Sequence, residues 1–333
     1  MNDGRHTRSG LNLLLFGLLC LTASVSLLSG DLHSFGLPSA QKPVLRNLIL
    51  FEIRLPRLLL AMLIGFTLGL AGAVLQGLLR NPLAEPGIIG VSGGAALGAV
   101  IVIYFNLAGL GSLFLPLGGI LGATLSMALL YLLAGRGRGN LYTLILAGIA
   151  INTLSAALTA LALNLAPSPF ALSEILFWLM GSVANRSMQH VWLITPFVII
   201  GCTALFLCAR GLDALTLGEQ AAASLGIHVK RLKLVVILGA GLAVGASVSV
   251  AGAIGFVGLI VPHLMRRHVG HRPGALLLPS ALAGATLLVF ADLLVRLLPT
   301  GVELKLGVMT ALFGAPFFIY LVLTRKADTV AGR

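Results

Sequence analysis

Asp292 and Arg296 stand four residues apart in the run FADLLVRLL, which places them one helical turn from each other. A lone carboxylate in an apolar helix is a candidate proton relay, whereas one with a guanidinium a turn away is first a candidate ion pair. The pair is the favoured reading, because the partner is already present and the apolar run ends close by. Gln76 and Asn152 are the notable uncharged polar groups inside other apolar runs. Such groups either hydrogen-bond a neighbouring helix or line the route of a solute. Cys20, Cys202 and Cys208 each sit in apolar sequence with no CxxC or histidine-rich surroundings. That is the setting of small packing residues, so neither a metal site nor a disulfide framework is expected.

Other reactive constellations are missing. The chain has no HExxH, no GxSxG with histidine and acid partners, and no pair of acids within an apolar run, which argues against a membrane enzyme. No lysine follows a glycine. A GxxxxGK[ST] phosphate loop is therefore excluded, and any ATP would be held by another subunit.

The elements carrying these residues are membrane helices. Hydrophobic residues make up 58% of the 333 positions and charged residues 10%, the composition of a polytopic membrane protein. Apolar runs recur from Leu11 to Thr324 at roughly the 20-residue length that crosses a hydrocarbon core. Spans are predicted near 11–29, 57–79, 87–107, 113–134, 141–163, 191–209, 233–251, 254–266, 274–298 and 306–324. The first, which follows Arg5 and Arg8, reads as a retained helix because many further spans come after it. Residues 233–265 form one apolar stretch that would extend about 50 Å as a single helix. It must break, and Gly252, Gly255 and Gly258 mark the place.

With that break and a cytoplasmic N-terminus, fifteen of the 22 lysines and arginines lie inside. Lys42, Arg46, Arg54, Arg57, Arg186, Arg296 and Lys305 lie outside. This is the asymmetry of the positive-inside rule. Both termini are then cytoplasmic, and residues 1–333 form a single all-α membrane domain of about ten spans. The net charge of +12 is thus a matter of topology and membrane lipid and not of nucleic acid. Glycines at small-xxx-small spacing, Gly65/Gly69, Gly90/Gly94/Gly98, Gly118/Gly122 and Gly241/Gly245, predict close-packed helix faces. The turn RNPLAEPGIIG, residues 80–90, is predicted at the cytoplasmic surface, where Pro82 and Pro86 stiffen it.

Three segments carry a family resemblance. They are RLPRLLLAMLIGFTLGLAGAVLQGLLRNPLAEPGIIGVSGGAALGA (54–99), LGEQAAASLGIHVKRLK (217–233), and AGAIGFVGLIVPHLMRRHVGH followed by FADLLVRLL and ELKLGVMTALFGAPFFIYLVL. With FWLMGSV at 177–183 they resemble, in order, the FecCD-type permeases, membrane subunits of bacterial ATP-driven importers for iron-siderophores, haem and cobalamin.

The resemblance implies a cobalamin-importer-permease-like fold in the bacterial plasma membrane. It implies a dimer with a second permease subunit, two cytoplasmic ATPase subunits holding ATP and Mg, and a periplasmic or lipid-anchored solute-binding protein. The chain itself would bind no cofactor and no metal. An ATPase-coupling loop is implied near 210–232, with Gly218, Glu219, Ala222, Leu225 and Gly226 in a short helix. Arg54, Arg57 and Arg296 match positions that meet acidic residues of a binding protein. Asn81 and Leu83, with Asn140, Leu141 and Tyr142, match a cytoplasmic gate, although Leu141 and Tyr142 depart from the small hydroxyl residues usual there. Lys305 likewise departs from a usual proline. A ferric siderophore is the expected cargo, with cobalamin or haem as the alternative within the family and a secondary transporter without an ATPase as the alternative from another class.

Overall fold

The computed structural model describes residues 3–29, 47–111, 113–134, 141–298 and 304–331. Among them there is no strand, and the protein is all-α. Helix α1 (Asp3–Leu28) is followed by a π-helical turn (Ile49–Arg54) that runs directly into α2 (Leu55–Leu79). Then come α3 (Val91–Tyr104), α4 (Phe114–Leu133), α5 (Leu141–Asn164), α6 (Pro169–Leu179) and α7 (Met188–Leu207). Two short helices, α8 (Ala209–Leu215) and α9 (Glu219–Ser224), precede α10 (Val229–Ala251), α11 (Val257–Val269), α12 (Pro273–Leu297) and α13 (Leu306–Ala331).

Seven helical stretches among the described residues are long and apolar enough to cross a membrane. The other three predicted spans are occupied by α13 and by two shorter helices, α3 with 14 residues and α11 with 13. Helix α6 has no counterpart among the predicted spans. It starts where Ser168 Oγ accepts from the Ala171 amide at 3.2 Å and Pro169 takes the first turn, a strong helix start.

The core is a set of antiparallel crossings built on small residues. Gly65 and Gly69 of α2 face Gly284 and Ser280 of α12, and a Cβ at Gly65 would stand 2.9 Å from Ala285 Cα. Gly94 and Gly98 of α3 face Gly122 and Gly118 of α4, while Gly241 and Gly245 of α10 face Met127 and Ala123 of α4. Water cannot drive these helices together inside lipid, so backbone-close van der Waals contact is what holds them. Most of α2, α10 and α12 is buried, whereas α1 and α5 present long apolar faces outward.

Arg80, Arg210, Lys230, Arg231, Arg266, Arg267 and Arg272 gather where α2 and α11 end and α8, α9, α10 and α12 begin or sit. We refer to this as the basic end. At the opposite end lie the start of α2 and the last turn of α12.

The turn after α2 does not stay at the basic end. Arg80 (φ 48°) closes α2 in the left-handed conformation, the Asn81 amide donates to Gln76 O at 3.2 Å, and Asn81 Oδ1 accepts from the Leu83 amide at 2.9 Å. From this side-chain-closed turn the chain climbs into the bundle. Pro86 Cδ lies 2.7 Å from where a Gly258 Cβ would be, and that position is 3.0 Å from Leu68 O. Leu68 is eleven residues before the end of α2, about 16 Å along its axis. Gly90 (φ 78°) then packs on α5, where a Cβ would stand 2.8 Å from Gly148 O, a fit that only glycine meets.

The predicted surface position therefore holds for residues 80–83 only; 84–90 re-enter the bundle. The reason is length. Helix α3 has 14 residues and extends about 21 Å, so the segment before it must supply the rest of the crossing. The same holds for α11, with 13 residues, preceded by the break at Gly252 (φ 73°) and Phe256 (φ 68°). The two irregular segments meet.

Gly69→Leu, at the α2–α12 crossing, is expected to cost about 3 kcal/mol through overpacking. Gly10→Leu, with nothing within 4 Å of its Cβ position, should stay within about 0.5 kcal/mol. Unfolding midpoints of the two detergent-purified variants give the comparison, and equal midpoints would contradict the packing described.

Candidate functional site

Polar side chains collect in three places along the bundle. At the opposite end, Asp292 of α12 accepts a fork from Arg57 of α2, with Nε 2.9 and 3.0 Å from the two carboxylate oxygens and Nη2 2.9 Å from Oδ1. Arg296 Nε lies 3.5 Å from Asp292 Oδ2, and its Nη2 donates to Ser26 O at 2.8 Å and Ser26 Oγ at 2.6 Å on α1. Arg54 Nη1 donates to Leu27 O at 2.7 Å. The sequence pairing of Asp292 with Arg296 is thus present, but the closer partner is Arg57, 235 positions away. The carboxylate side chain is 3% exposed, and two guanidiniums around one carboxylate leave a net positive charge.

Arg186 Nε in the α6–α7 connection donates to Val250 O at 2.8 Å, close to where α10 ends, and burial lowers this guanidinium's pKa from its usual value. Lys305 Nζ sits 5.2 Å above the Phe177 ring of α6, a cation–π contact that the sequence reading of this lysine did not anticipate.

The basic end holds the second group. Gln76, 2% exposed, donates from Nε2 to Leu259 O at 3.2 Å and Gly258 O at 3.4 Å, while its Oε1 accepts from Arg266 Nη2 at 2.9 Å. It is an interhelical bridge from α2 to α11 beside a cavity of about 220 Å³ lined also by Arg80, Thr216 and His271. Asp213 of α8 accepts from Arg272 Nη2 at 2.9 Å and from the Gly274 amide at 2.7 Å, fastening α8 to the start of α12. The short helix expected after Gly218 is present as α9. Gly218 (φ 112°) and Gly226 (φ 83°) bracket it, Ala222 is fully buried, and Glu219 Oε1 lies 3.0 Å from Lys233 Nζ at the base of α10. Leu217 and Leu225, which flank it, are 68% and 63% exposed.

The third group belongs to the re-entrant turn and to α5. Asn81 and Leu83 are exposed at the basic end, and Tyr142 is 77% exposed at the start of α5. The turn reaches α5 at Gly148, about 9 Å along that helix from Tyr142. Asn152 is exposed, and its Oδ1 fills the space beside Gly93 at the start of α3. Asn140 lies outside the described residues, and Leu141 opens α5. Among the described residues there is no group of three His, Cys, Asp or Glu side chains that could hold a metal.

Sequence reasoning passed over Glu85. Its Oε1 accepts from the Phe256 amide at 3.1 Å, joining the re-entrant turn to the α10–α11 corner. The signal was the only acid between the two prolines of RNPLAEPGIIG.

A bundle of membrane-crossing helices with two half-length helices meeting at depth, and polar contacts concentrated at its ends and that meeting point, defines a polytopic membrane protein. The model of the FecCD transport family matches residues 12–324, and the chain belongs to that family, whose members are permease subunits of ABC-type importers. The vitamin B12 import system permease BtuC of Vibrio cholerae is 42% identical over 319 residues, 95% of this chain and 94% of the relative. The probable siderophore transport system permease YfhA of Bacillus subtilis is 38% identical over 318 residues, 92% of each. A solved inward-facing structure of a metal-chelate-type ABC transporter matches with TM-score 0.86 and 35% identity, over 95% of this chain and 99% of the other.

Asp292→Ala is expected to cost about 3–5 kcal/mol, since it strands two guanidiniums in a mostly buried site. Arg272→Ala removes a pair whose arginine is 69% exposed and should cost about 1 kcal/mol or less. Unfolding midpoints of the purified variants decide; an Asp292→Ala protein as stable as Arg272→Ala would show that the Arg57 fork contributes little.

Proposed function

We propose that this protein is the membrane subunit of a binding-protein-dependent, ATP-driven importer that carries a ferric siderophore from the periplasm or cell exterior to the cytoplasm of a bacterium. In this reading the basic end is cytoplasmic, as the positive-inside rule requires, and both termini are inside. The observation that carries the reading is α9. It is a rigid helix between two left-handed glycines at the basic end, fixed to α10 by Glu219 and Lys233, with exposed Leu217 and Leu225 beside it. Gly218, Glu219, Leu225 and Gly226 form the surface on which each of two ATPase subunits, holding ATP and Mg, pushes, and the buried Ala222 seats the helix beneath it.

The exposed face of α5 holds Asn152 and Thr153 as well as Leu146 and Ile149. Lipid has no partner for an amide or a hydroxyl, so this face meets the second permease subunit and borders the cargo path. Gln76 stays a structural bridge near that path. Asn81 and Leu83, with Asn140, Leu141 and Tyr142, form the cytoplasmic gate; cysteines placed at Asn81 in both subunits crosslink in a nucleotide-dependent manner. At the outer end Arg54, Arg57 and Arg296 supply the positive charge that orients an acidic binding protein. All three are held in place, Arg54 on Leu27 O and the other two on Asp292, and reversal of Arg54 and Arg57 together to Glu weakens docking while leaving assembly with the ATPase intact.

A relative named for siderophore transport and a related structure of metal-chelate type support the cargo assignment, while relatives named for hemin and vitamin B12 transport support its competitors equally. Cobalamin, named for another relative, and haem are the competing outcomes. The test is uptake into proteoliposomes that contain the permease with its cognate ATPase and binding protein, offered ferric siderophore, cobalamin or haem. ATP-dependent accumulation of the ferric siderophore is expected. Accumulation of either other ligand would reassign the cargo, and uptake driven by an ion gradient without ATP would point to a secondary transporter.

A further inference from the structure

Glu85 does something the gate residues around it do not. Its turn enters the bundle at the depth of Leu68 and Gly72 of α2, where backbone outside a helix must be satisfied by protein groups or face a water-lined cavity. The corner it meets has the same difficulty. Helix α10 stops at Ala251, α11 starts at Val257, and the Phe256 amide between them belongs to neither helix's ladder. Glu85 Oε1 takes that amide at 3.1 Å and also lies 3.6 Å from where a Cβ of Gly255 would be.

Phe256 is held in the left-handed region at φ 68°, which a phenylalanine adopts only under constraint. Its ring rests on α13 at Gly314, where an added Cβ would stand 2.5 Å from Phe256 Cβ. One carboxylate therefore secures the amide of a residue whose ring fixes a third element. Behind the corner, the Ala251 carbonyl accepts from the Ser182 amide at 2.7 Å, so the end of α10 is anchored on that side as well. Helix α10 is an unbroken α-helix from Val229 to Ala251, and near its base Lys233 pairs with Glu219 of α9. Helix α10 thus joins α9 to the corner, and from the corner the side-chain hydrogen bond to the turn that begins at Asn81 is the Glu85 acceptor, beside the Pro86 packing on Gly258.

We infer that Glu85 is a positioning residue of the transport cycle, a latch whose carboxylate oxygen binds the re-entrant turn to the α10–α11 corner so that turn, corner and α13 shift together when the cytoplasmic helix α9 is pushed. The inference rests on the importer reading above and adds a requirement that reading lacks. What the cycle needs at position 85 is a hydrogen-bond acceptor for the Phe256 amide, and the negative charge is secondary.

The experiment measures cargo moved per ATP hydrolysed in proteoliposomes containing the full transporter with wild-type, E85Q, E85A or G314A permease. Glutamine keeps an acceptor oxygen at the same reach; alanine keeps none; G314A leaves Glu85 intact but displaces the Phe256 ring. For E85A and G314A the latch predicts complexes that assemble and hydrolyse ATP while cargo per ATP falls about tenfold, the factor that loss of one buried hydrogen bond carries. E85Q should stay within about twofold of wild type. Equal coupling in all four proteins overturns the latch, and so does equal damage in E85Q and E85A, which would make the charge the essential feature. If E85A fails to assemble, the E85Q and G314A comparison decides alone: preserved coupling in the first with loss in the second supports the latch, and any other combination overturns it. A wild-type transporter that moves no cargo with ATP removes the importer reading itself, an outcome distinct from a working wild type whose variants work equally well.

Discussion

Backbone that leaves a helix inside a membrane must find hydrogen-bond partners in the protein, because the hydrocarbon provides none. Two segments of this chain do so at the same depth, residues 84–90 before α3 and 252–256 before α11. Each precedes a helix too short to cross alone, and each solves its problem with the other: Pro86 packs on Gly258, and the Glu85 carboxylate accepts the Phe256 amide. Helix α2 packs against the junction through Leu68 and Gly72, which approach Gly258.

Close approach makes that packing possible. The glycine crossings of α2 with α12 and of α4 with α3 and α10 bring backbones near enough that the remaining polar groups can be few and local. Glu85 stands at the junction, and the ion pairs among the described residues lie at the two ends. The Arg57–Asp292–Arg296 group ties α1, α2 and α12 together, while Asp213 and Glu219 tie α8 and α9 to the starts of α12 and α10. A push delivered to α9 therefore meets a stiff helix and not a loose loop, as an ATP-coupled permease requires.

Much of this was legible in the sequence. Run length and positive charge located ten helices, and the excess length of 233–265 with its glycines located the break that the structure places at 252–256. Gly218 and Gly226 announced α9 because they are punctuation that acts locally. What escaped depends on contacts across the chain. Spacing within one helix offered Asp292 its partner Arg296 but could not show that Arg57, from a helix far earlier, is closer. Charge counting placed RNPLAEPGIIG at the surface, since it assigns loops to sides and carries no information on depth. Helix α6 was missed because its 11 residues fall below the length that a span search looks for, although its Ser-Pro start was in view. The proposed gate role of Tyr142 and the proposed docking role of Arg54 rest on surfaces that a second subunit or a binding protein would complete.

The junction at membrane depth is the central structural claim, and a cysteine pair probes it directly. The Glu85 carboxylate oxygen lies 3.6 Å from the Gly255 Cβ position, which puts cysteines at both sites within reach of a short bis-methanethiosulfonate. The measurement is intramolecular crosslinking of that double variant in membranes, with Cys20, Cys202 and Cys208 replaced. The structure predicts efficient crosslinking within one chain, read as a protease-resistant link between the two segments. Full labelling of both cysteines by a monofunctional thiol reagent, with no crosslink under any condition, would contradict it and return the turn to the membrane surface.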